Sequence, residues 1–240
     1  MNSRKKAGLP ALAASVLAVM AFVSCAEERV GTGARLVDIG SHRLETRIAG
    51  SGTPVVVLDA GLGDSLDKIG PFQDRLAASA RVFAYNRAGY GRSGPGPLPR
   101  DCGREAEELK SLLDQASLPG PFVLVGHSLG ALNVQAFASI YPSDVAGLVL
   151  LDPPPLPSIL GRDFSGLKAM ADQMTSEWQA GADAGAASSD PGERKHAGFL
   201  AMIASEHREM FGASARLAEA IPGFGSIPLA VIGAGKPNPA

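Results

Sequence analysis

Phe122-Val123-Leu124-Val125-Gly126-His127-Ser128-Leu129-Gly130-Ala131-Leu132 joins a short apolar run, a Gly-x-Ser-x-Gly pentapeptide and a second apolar run. The first run reads as a strand buried on both faces, and Leu132 through Ala138 keeps the period of a helix. A serine at such a strand-to-helix turn is held in a strained backbone conformation that lifts its hydroxyl above the sheet. The flanking positions must be small because strand and helix nearly touch there. The helix that follows points its positive end at the same spot, which favours a developing anion. The pentapeptide alone is a weak signal, but between a buried strand and an apolar helix it marks Ser128 as a nucleophile.

The pattern repeats outward from this point. Pro54 to Leu58, Arg81 to Tyr85, Val145 to Leu151 and Pro228 to Ile232 read as further buried strands. Between them lie segments of helical period, with Ile69, Phe72, Leu76 and Ala77 on one face and then Leu109, Leu112 and Leu113. Such alternation predicts an α/β fold: a mostly parallel sheet covered on both sides by helices. Ala34 to Ile39 and His42 to Ala49 alternate apolar with polar around Gly40-Ser41, as an antiparallel hairpin at a sheet edge does. After Asp152 a proline cluster, Pro153 to Pro155 and Pro157, stops the pattern. Residues 153–227 then read as an inserted helical cap, with Met170, Met174 and Trp178 on one helical face and Phe199, Met202 and Ile203 on another. Gly181 to Gly192 reads as a mobile loop within it.

With these residues in view the chain resembles the α/β-hydrolase superfamily. Val56 to Ser65 matches the loop after the family's third strand, with Ala60 where a histidine is common. Tyr85-Asn86-Arg87-Ala88-Gly89-Tyr90-Gly91-Arg92-Ser93 resembles the turn after the fourth strand, with Asn86 in place of the usual aspartate, and reads as structural. The resemblance implies an oxyanion hole from the backbone amides of Leu129 and of Leu62, with Gly61 the neighbouring candidate. It also implies a carboxylate that orients a histidine, after the sixth or the seventh strand. Asp152 ends the sixth strand and fits the first option; after the seventh strand only Asn238 lies near. A serine at position 128 separates the chain from the dehalogenase and epoxide-hydrolase branches, which use aspartate there. The family places its histidine after an eighth strand, and the sequence stops just past the seventh. The final strand and helix are therefore expected to be missing and the chain truncated at 228–240, with a sheet edge and an apolar face left exposed. His42 lies in the first hairpin, His127 should diverge from Ser128, and His196 and His207 look like solvated cap surface, so no complete triad assembles.

Composition sets the remaining limits. With 240 residues, 22 Lys+Arg against 24 Asp+Glu and a net charge of −2, nothing concentrates nucleic acid, and the expected partner is a small-molecule substrate. Arg4, Lys5 and Lys6 followed by apolar Ala7 to Val23 read as an export signal over residues 1–24. Residues 25–33 read as a tether and 34–152 as the hydrolase core. Two processing routes stay open: lipidation of Cys25 in a lipobox-like Phe22-Val23-Ser24-Cys25, or ordinary cleavage before Glu27. The expected location is outside the bacterial cytoplasm, with membrane contact only through a lipid on Cys25. Cys102 reads as an ordinary buried thiol. No Cys/His spacing suggests a metal, and no cofactor is expected. The expected activity is serine-dependent hydrolysis of ester-like or related acyl bonds through an acyl-enzyme; the alternative is a non-catalytic lipoprotein or inactive fragment that keeps the scaffold.

Overall fold

The computed structural model describes residues 33–162 and 165–233. The stretch read as an export signal, Cys25 and Asn238 lie outside the described residues. Seven strands form one sheet: β1 (Arg35–Asp38), β2 (Arg43–Ala49), β3 (Val56–Asp59), β4 (Val82–Tyr85), β5 (Phe122–His127), β6 (Val145–Leu151) and β7 (Leu229–Ile232), in the order β1-β2-β4-β3-β5-β6-β7. β1 and β2 are the expected antiparallel hairpin, and β2 also runs antiparallel to β4, whereas β4, β3, β5, β6 and β7 are mutually parallel. The central strands consist of β-branched and other apolar residues because both of their faces are covered; every residue of β3 and β4 is buried.

Helices α1 (Leu66–Ala77), α2 (Cys102–Gln115) and α3 (Leu129–Ile140) connect the strands, and α4 (Leu156–Ile159), α5 (Ser165–Ala186), α6 (Pro191–Met210) and α7 (Ala213–Ala220) fill the insertion between β6 and β7. The larger core lies where Leu109, Leu112 and Leu113 of α2 and Leu132, Val134 and Phe137 of α3 meet one face of the sheet. α2 begins at Asp101, whose carboxylate accepts from the Gly103 and Arg104 amides at 3.0 and 3.1 Å. Among the described residues the other face packs on α1, through Val56, Leu58, Leu66, Val82 and Val125. Its far end is thinly covered. Phe72 is 43% exposed, and β7, whose apolar composition reads as a buried strand, is among the described residues the exposed sheet edge that was expected, with Leu229, Val231 and Ile232 all exposed.

The insertion differs from its sequence reading in a physically clear way. The buried stripe of α5 is Ala171, Thr175 and Ala182, with Trp178 half-buried beside it, rather than the methionines; Met170 and Met174 face outward. The stretch Gly181 to Ala186 continues α5, so the only non-helical residues left in the expected loop are 187–190. Small residues are there to let two helices touch: a Cβ on Gly181 would lie 2.8 Å from Leu200 Cδ1, and one on Gly185 2.8 Å from Ala197 Cβ. His207 is buried rather than solvated, its Nδ1 2.8 Å from Thr175 Oγ1 and its ring edge-on to Trp178 and Phe211.

Two polar clusters tie this scaffold together. Asn86 accepts from the Leu66 amide at the start of α1 (2.7 Å) and donates to Glu45 (2.8 Å). An aspartate at position 86 would instead set a second carboxylate against Glu45, which accounts for the departure from the family pattern. Beneath the insertion, Arg100 holds Glu105 and Glu108 at 2.7 and 2.6 Å while its own amide donates to Ser205 of α6. The adjacent Cys102 amide donates to Ser214 of α7, and burial pushes the Cys102 thiol up to about 11, as suits an inert side chain.

One guanidinium cannot neutralise two buried carboxylates. Burial, with Glu206 and Glu108 nearby, pushes Glu105 up to about 8 against the pull of Arg100. A carboxyl group whose pKa rises on folding contributes stability that is fully present below the ordinary carboxylate range and is lost as pH climbs to about 8. The melting temperature of the wild type should therefore fall between about pH 5 and pH 9 more steeply than that of Glu105→Gln, read by circular dichroism in matched buffers.

Candidate active site

The turn between β5 and α3 is built by close backbone approach. Ser128 has φ 50° and ψ −118°, a left-handed conformation that costs a non-glycine residue about 1–3 kcal/mol and persists only where its surroundings hold it. They do so from both sides: the Ser128 amide donates to the Leu151 carbonyl at 3.0 Å, and the Ser128 carbonyl accepts from the Ala131 amide at 2.9 Å. A Cβ on Gly126 would lie 2.4 Å from the Gly130 carbonyl oxygen. One on Gly130 would lie 2.3 Å from the Asp59 carbonyl oxygen and 2.7 Å from that of Ala60. The pentapeptide's glycines are thus explained by sterics, since the first turn of α3 rests on the backbone at the end of β3.

This contact sets the Leu129 amide, at the head of α3, beside the loop that carries Leu62. Within that loop Asp64 N–H donates to the Gly61 carbonyl at 3.2 Å and Gly63 N–H to the Tyr90 hydroxyl at 3.2 Å. The Leu62 and Leu129 amides have no hydrogen-bond acceptor among the described residues. Nor does the half-buried Ser128 hydroxyl. Asp152 stands immediately after the carbonyl that receives the Ser128 amide. It is exposed at the end of β6, with φ 45°, and its own amide donates to the Ile232 carbonyl at 2.7 Å.

No histidine among the described residues hydrogen-bonds the Ser128 hydroxyl. His127 turns to Asp64, with Nδ1 3.6 Å from the carboxylate, and packs on Gly61, where a Cβ would come within 2.9 Å of the ring. Together with Ala60, Lys68, Phe72 and Leu151 it lines a recess of 240 Å³. His42 is buried 3.7 Å from Glu108, and burial lowers its pKa, as it does that of His207. His196 lies exposed on α6. Among the described residues no group of three or more His, Cys, Asp or Glu is placed to hold a metal ion.

The charged cluster behind the site is almost invisible in the sequence. Arg87 is 3% exposed and spends all of its N–H donors on protein: Nε on Glu206 (2.9 Å), Nη1 on Asp59 (2.8 Å) and the Ala60 carbonyl (2.6 Å), and Nη2 on the Gly61 carbonyl (2.9 Å) and Glu206 (3.1 Å). Tyr90 donates to Glu206 at 2.5 Å, and Tyr85 to Asp59 at 2.8 Å. Burial raises the Asp59 carboxyl, opposed by Arg87 and these hydrogen bonds. The one available signal was Asp59 itself, a carboxylate closing a wholly apolar strand, which requires a buried partner.

Residues 53–223 match the alpha/beta hydrolase fold family, and the chain belongs to that family. RutD of Klebsiella pneumoniae, named for carbamate hydrolysis, is 40% identical over 103 residues, which are 42% of this chain and 38% of that protein. The 2-(acetamidomethylene)succinate hydrolase of Mesorhizobium japonicum is 31% identical over 118 residues, 49% of this chain and 42% of that one. The chain thus matches about two-fifths of the length of these relatives. Among solved structures, ALR0039 of Nostoc sp PCC 7120 superimposes with a TM-score of 0.64 at 19% identity, covering 83% of this chain and 79% of that one.

The steric reading of the turn has a direct test. Gly130→Ala places a methyl group against two backbone carbonyls that cannot give way, so it should destabilise the fold by about 3 kcal/mol or more, measured as a shift in the urea midpoint at constant slope.

Proposed function

We propose that the chain is a serine-dependent hydrolase acting on ester-like or related acyl bonds through an acyl-enzyme. The observation that carries this reading is the backbone of Ser128: a strained, non-glycine φ of 50° held by two backbone hydrogen bonds at a turn packed to contact, with the hydroxyl unengaged. In this reading Ser128 Oγ attacks the substrate carbonyl, and the free Leu62 and Leu129 amides receive the oxyanion, aided by the positive end of α3. The leaving group departs with a proton, and water hydrolyses the acyl-enzyme. Asp152, one residue beyond the Leu151 carbonyl, is the carboxylate that orients the base. The relatives named for hydrolysis of carbamate and acetamido compounds support acyl chemistry.

A second reading has its own observation. None of the four histidines reaches the Ser128 hydroxyl, which favours a scaffold that binds without turning over. Nucleophile, base and orienter act as a unit, so a serine lacking its base reacts orders of magnitude more slowly than one in a complete triad. A fluorophosphonate probe should label the purified chain slowly, at Ser128 alone and not in Ser128→Ala, by intact-mass analysis. Absence of labelling after prolonged exposure would favour the binding scaffold, and rapid labelling would mean that one of the four histidines moves into reach.

Residues Arg4 to Cys25 support export, with Cys25 as the lipid-bearing residue. Mass spectrometry of the mature protein from a bacterial host should find an acylated N-terminal Cys25; a free N-terminus at Glu27 would indicate ordinary secretion.

A further inference from the structure

The loop Ala60–Gly63 contains two glycines and makes few hydrogen bonds of its own, yet the oxyanion role proposed above requires the Leu62 N–H to face one way. The Gly61 carbonyl and the Leu62 N–H belong to one planar trans peptide unit, so they point in opposite directions. Arg87 Nη2 holds that carbonyl at 2.9 Å, and Nη1 holds the preceding carbonyl, of Ala60, at 2.6 Å. A flip of the Gly61–Leu62 peptide is sterically cheap beside glycine. Here it would strip a buried guanidinium of an acceptor and turn the Leu62 N–H toward a cation.

Arg87 is itself fixed from two sides. Asp59 holds it from the end of β3, and Glu206 from helix α6 of the insertion. Tyr90 closes the circuit, since its hydroxyl accepts from the Gly63 amide and donates to Glu206, while its ring lies 5.1 Å under the Arg87 guanidinium and edge-on to Phe199 of α6. Gly89 brings the same turn against α6 so closely that a Cβ would sit 2.4 Å from Met202 Cγ.

We infer that Arg87 is a positioning residue that selects the peptide orientation presenting the Leu62 N–H to the oxyanion, and that Glu206 makes this orientation conditional on the docking of helix α6. The inference rests on the serine-hydrolase reading for its catalytic meaning, but the geometry it asserts has a readout of its own. Substrate contact is left to Leu62; Arg87 acts through the loop. Because Glu206 is the link that the insertion supplies to the guanidinium among the described residues, a change on α6 should be felt at the loop.

The test compares wild type with Arg87→Lys, Glu206→Gln and Tyr90→Phe in the full chain. Tyr90→Phe keeps the ring packing and removes only the hydroxyl link, and thus covers the case in which the Arg87 variant fails to fold. The first readout is amide hydrogen exchange at Gly63 and Asp64, whose bonds report the loop conformation, with β3 and β5 amides as controls. Exchange should quicken about tenfold or more at both amides in Glu206→Gln and at Asp64 in Tyr90→Phe, where the Gly63 amide has lost its own acceptor and is not read, while the strand amides stay unchanged. The second readout is the fluorophosphonate reaction at Ser128, where the saturating rate constant should drop about ten- to a hundredfold in Arg87→Lys and Glu206→Gln with little change in the half-saturating concentration, in keeping with loss of an oxyanion donor. A general weakening of the fold would move the strand amides too. Unchanged loop exchange in all variants that fold overturns the inference. If wild type does not label, the serine-hydrolase reading falls, and loop exchange alone then decides whether Arg87 and Glu206 orient the loop.

Discussion

Backbone touching backbone, where the first turn of α3 rests on the carbonyls that end β3, is the constraint on which this structure depends. Gly130 would place a Cβ 2.3 Å from the Asp59 carbonyl oxygen, so only a hydrogen atom fits. Because α3 is seated this low, its first free amide, that of Leu129, comes level with the loop after β3. Ser128 in turn is pressed into a conformation that L-residues avoid. Parallel strands on either side supply the remaining restraint, through the Leu151 carbonyl of β6. The chemistry of the site is therefore inherited from the crossing of one strand and one helix.

Around that crossing the protein places charge where an apolar core would be simpler. Arg87 and Arg100 are both almost wholly buried, and each joins the sheet side of the molecule to the insertion: Arg87 through Glu206, Arg100 through its amide on Ser205. Buried ion pairs add little net stability over well-packed hydrophobic residues, but breaking one leaves an uncompensated charge. Their effect here is directional. Hydrophobic contacts between α6 and the turn at Gly89 to Tyr90 would tolerate sliding, whereas a guanidinium with five fixed acceptors does not.

The sheet, its hairpin, the strand-to-helix serine turn and the helical insertion were legible in the sequence because each rests on a local period or on a steric rule with a residue signature. What was misread depended on partners distant in the chain. Gly181 to Ala186 resembles a loop by composition and is helical because Leu200 and Ala197 require small residues opposite them. His207 sits in a polar stretch and is buried because Thr175 and two aromatic rings meet it there. Pro228 to Ile232 is not among these: it has the composition of an interior strand, and the exposed sheet edge expected there is what the described residues show, with pairing to β6 alone. The Arg87 cluster left almost no trace, since Glu206 lies 119 positions away and nothing local distinguishes it from other glutamates of α6.

That separation also orders events in time. The β5–α3 turn is held by the end of β3 on one side and by the Leu151 carbonyl of β6 on the other, so every part of it has been made once residue 151 is in the chain. The loop at Ala60 to Gly63 precedes the turn in sequence, yet two of the bonds on its Arg87 clamp come from Glu206 and must wait until α6 exists and has docked. During synthesis from the N-terminus the parts of the serine turn are therefore complete before the loop facing it can be secured, and a chain halted short of residue 206 would display the serine without a fixed cradle.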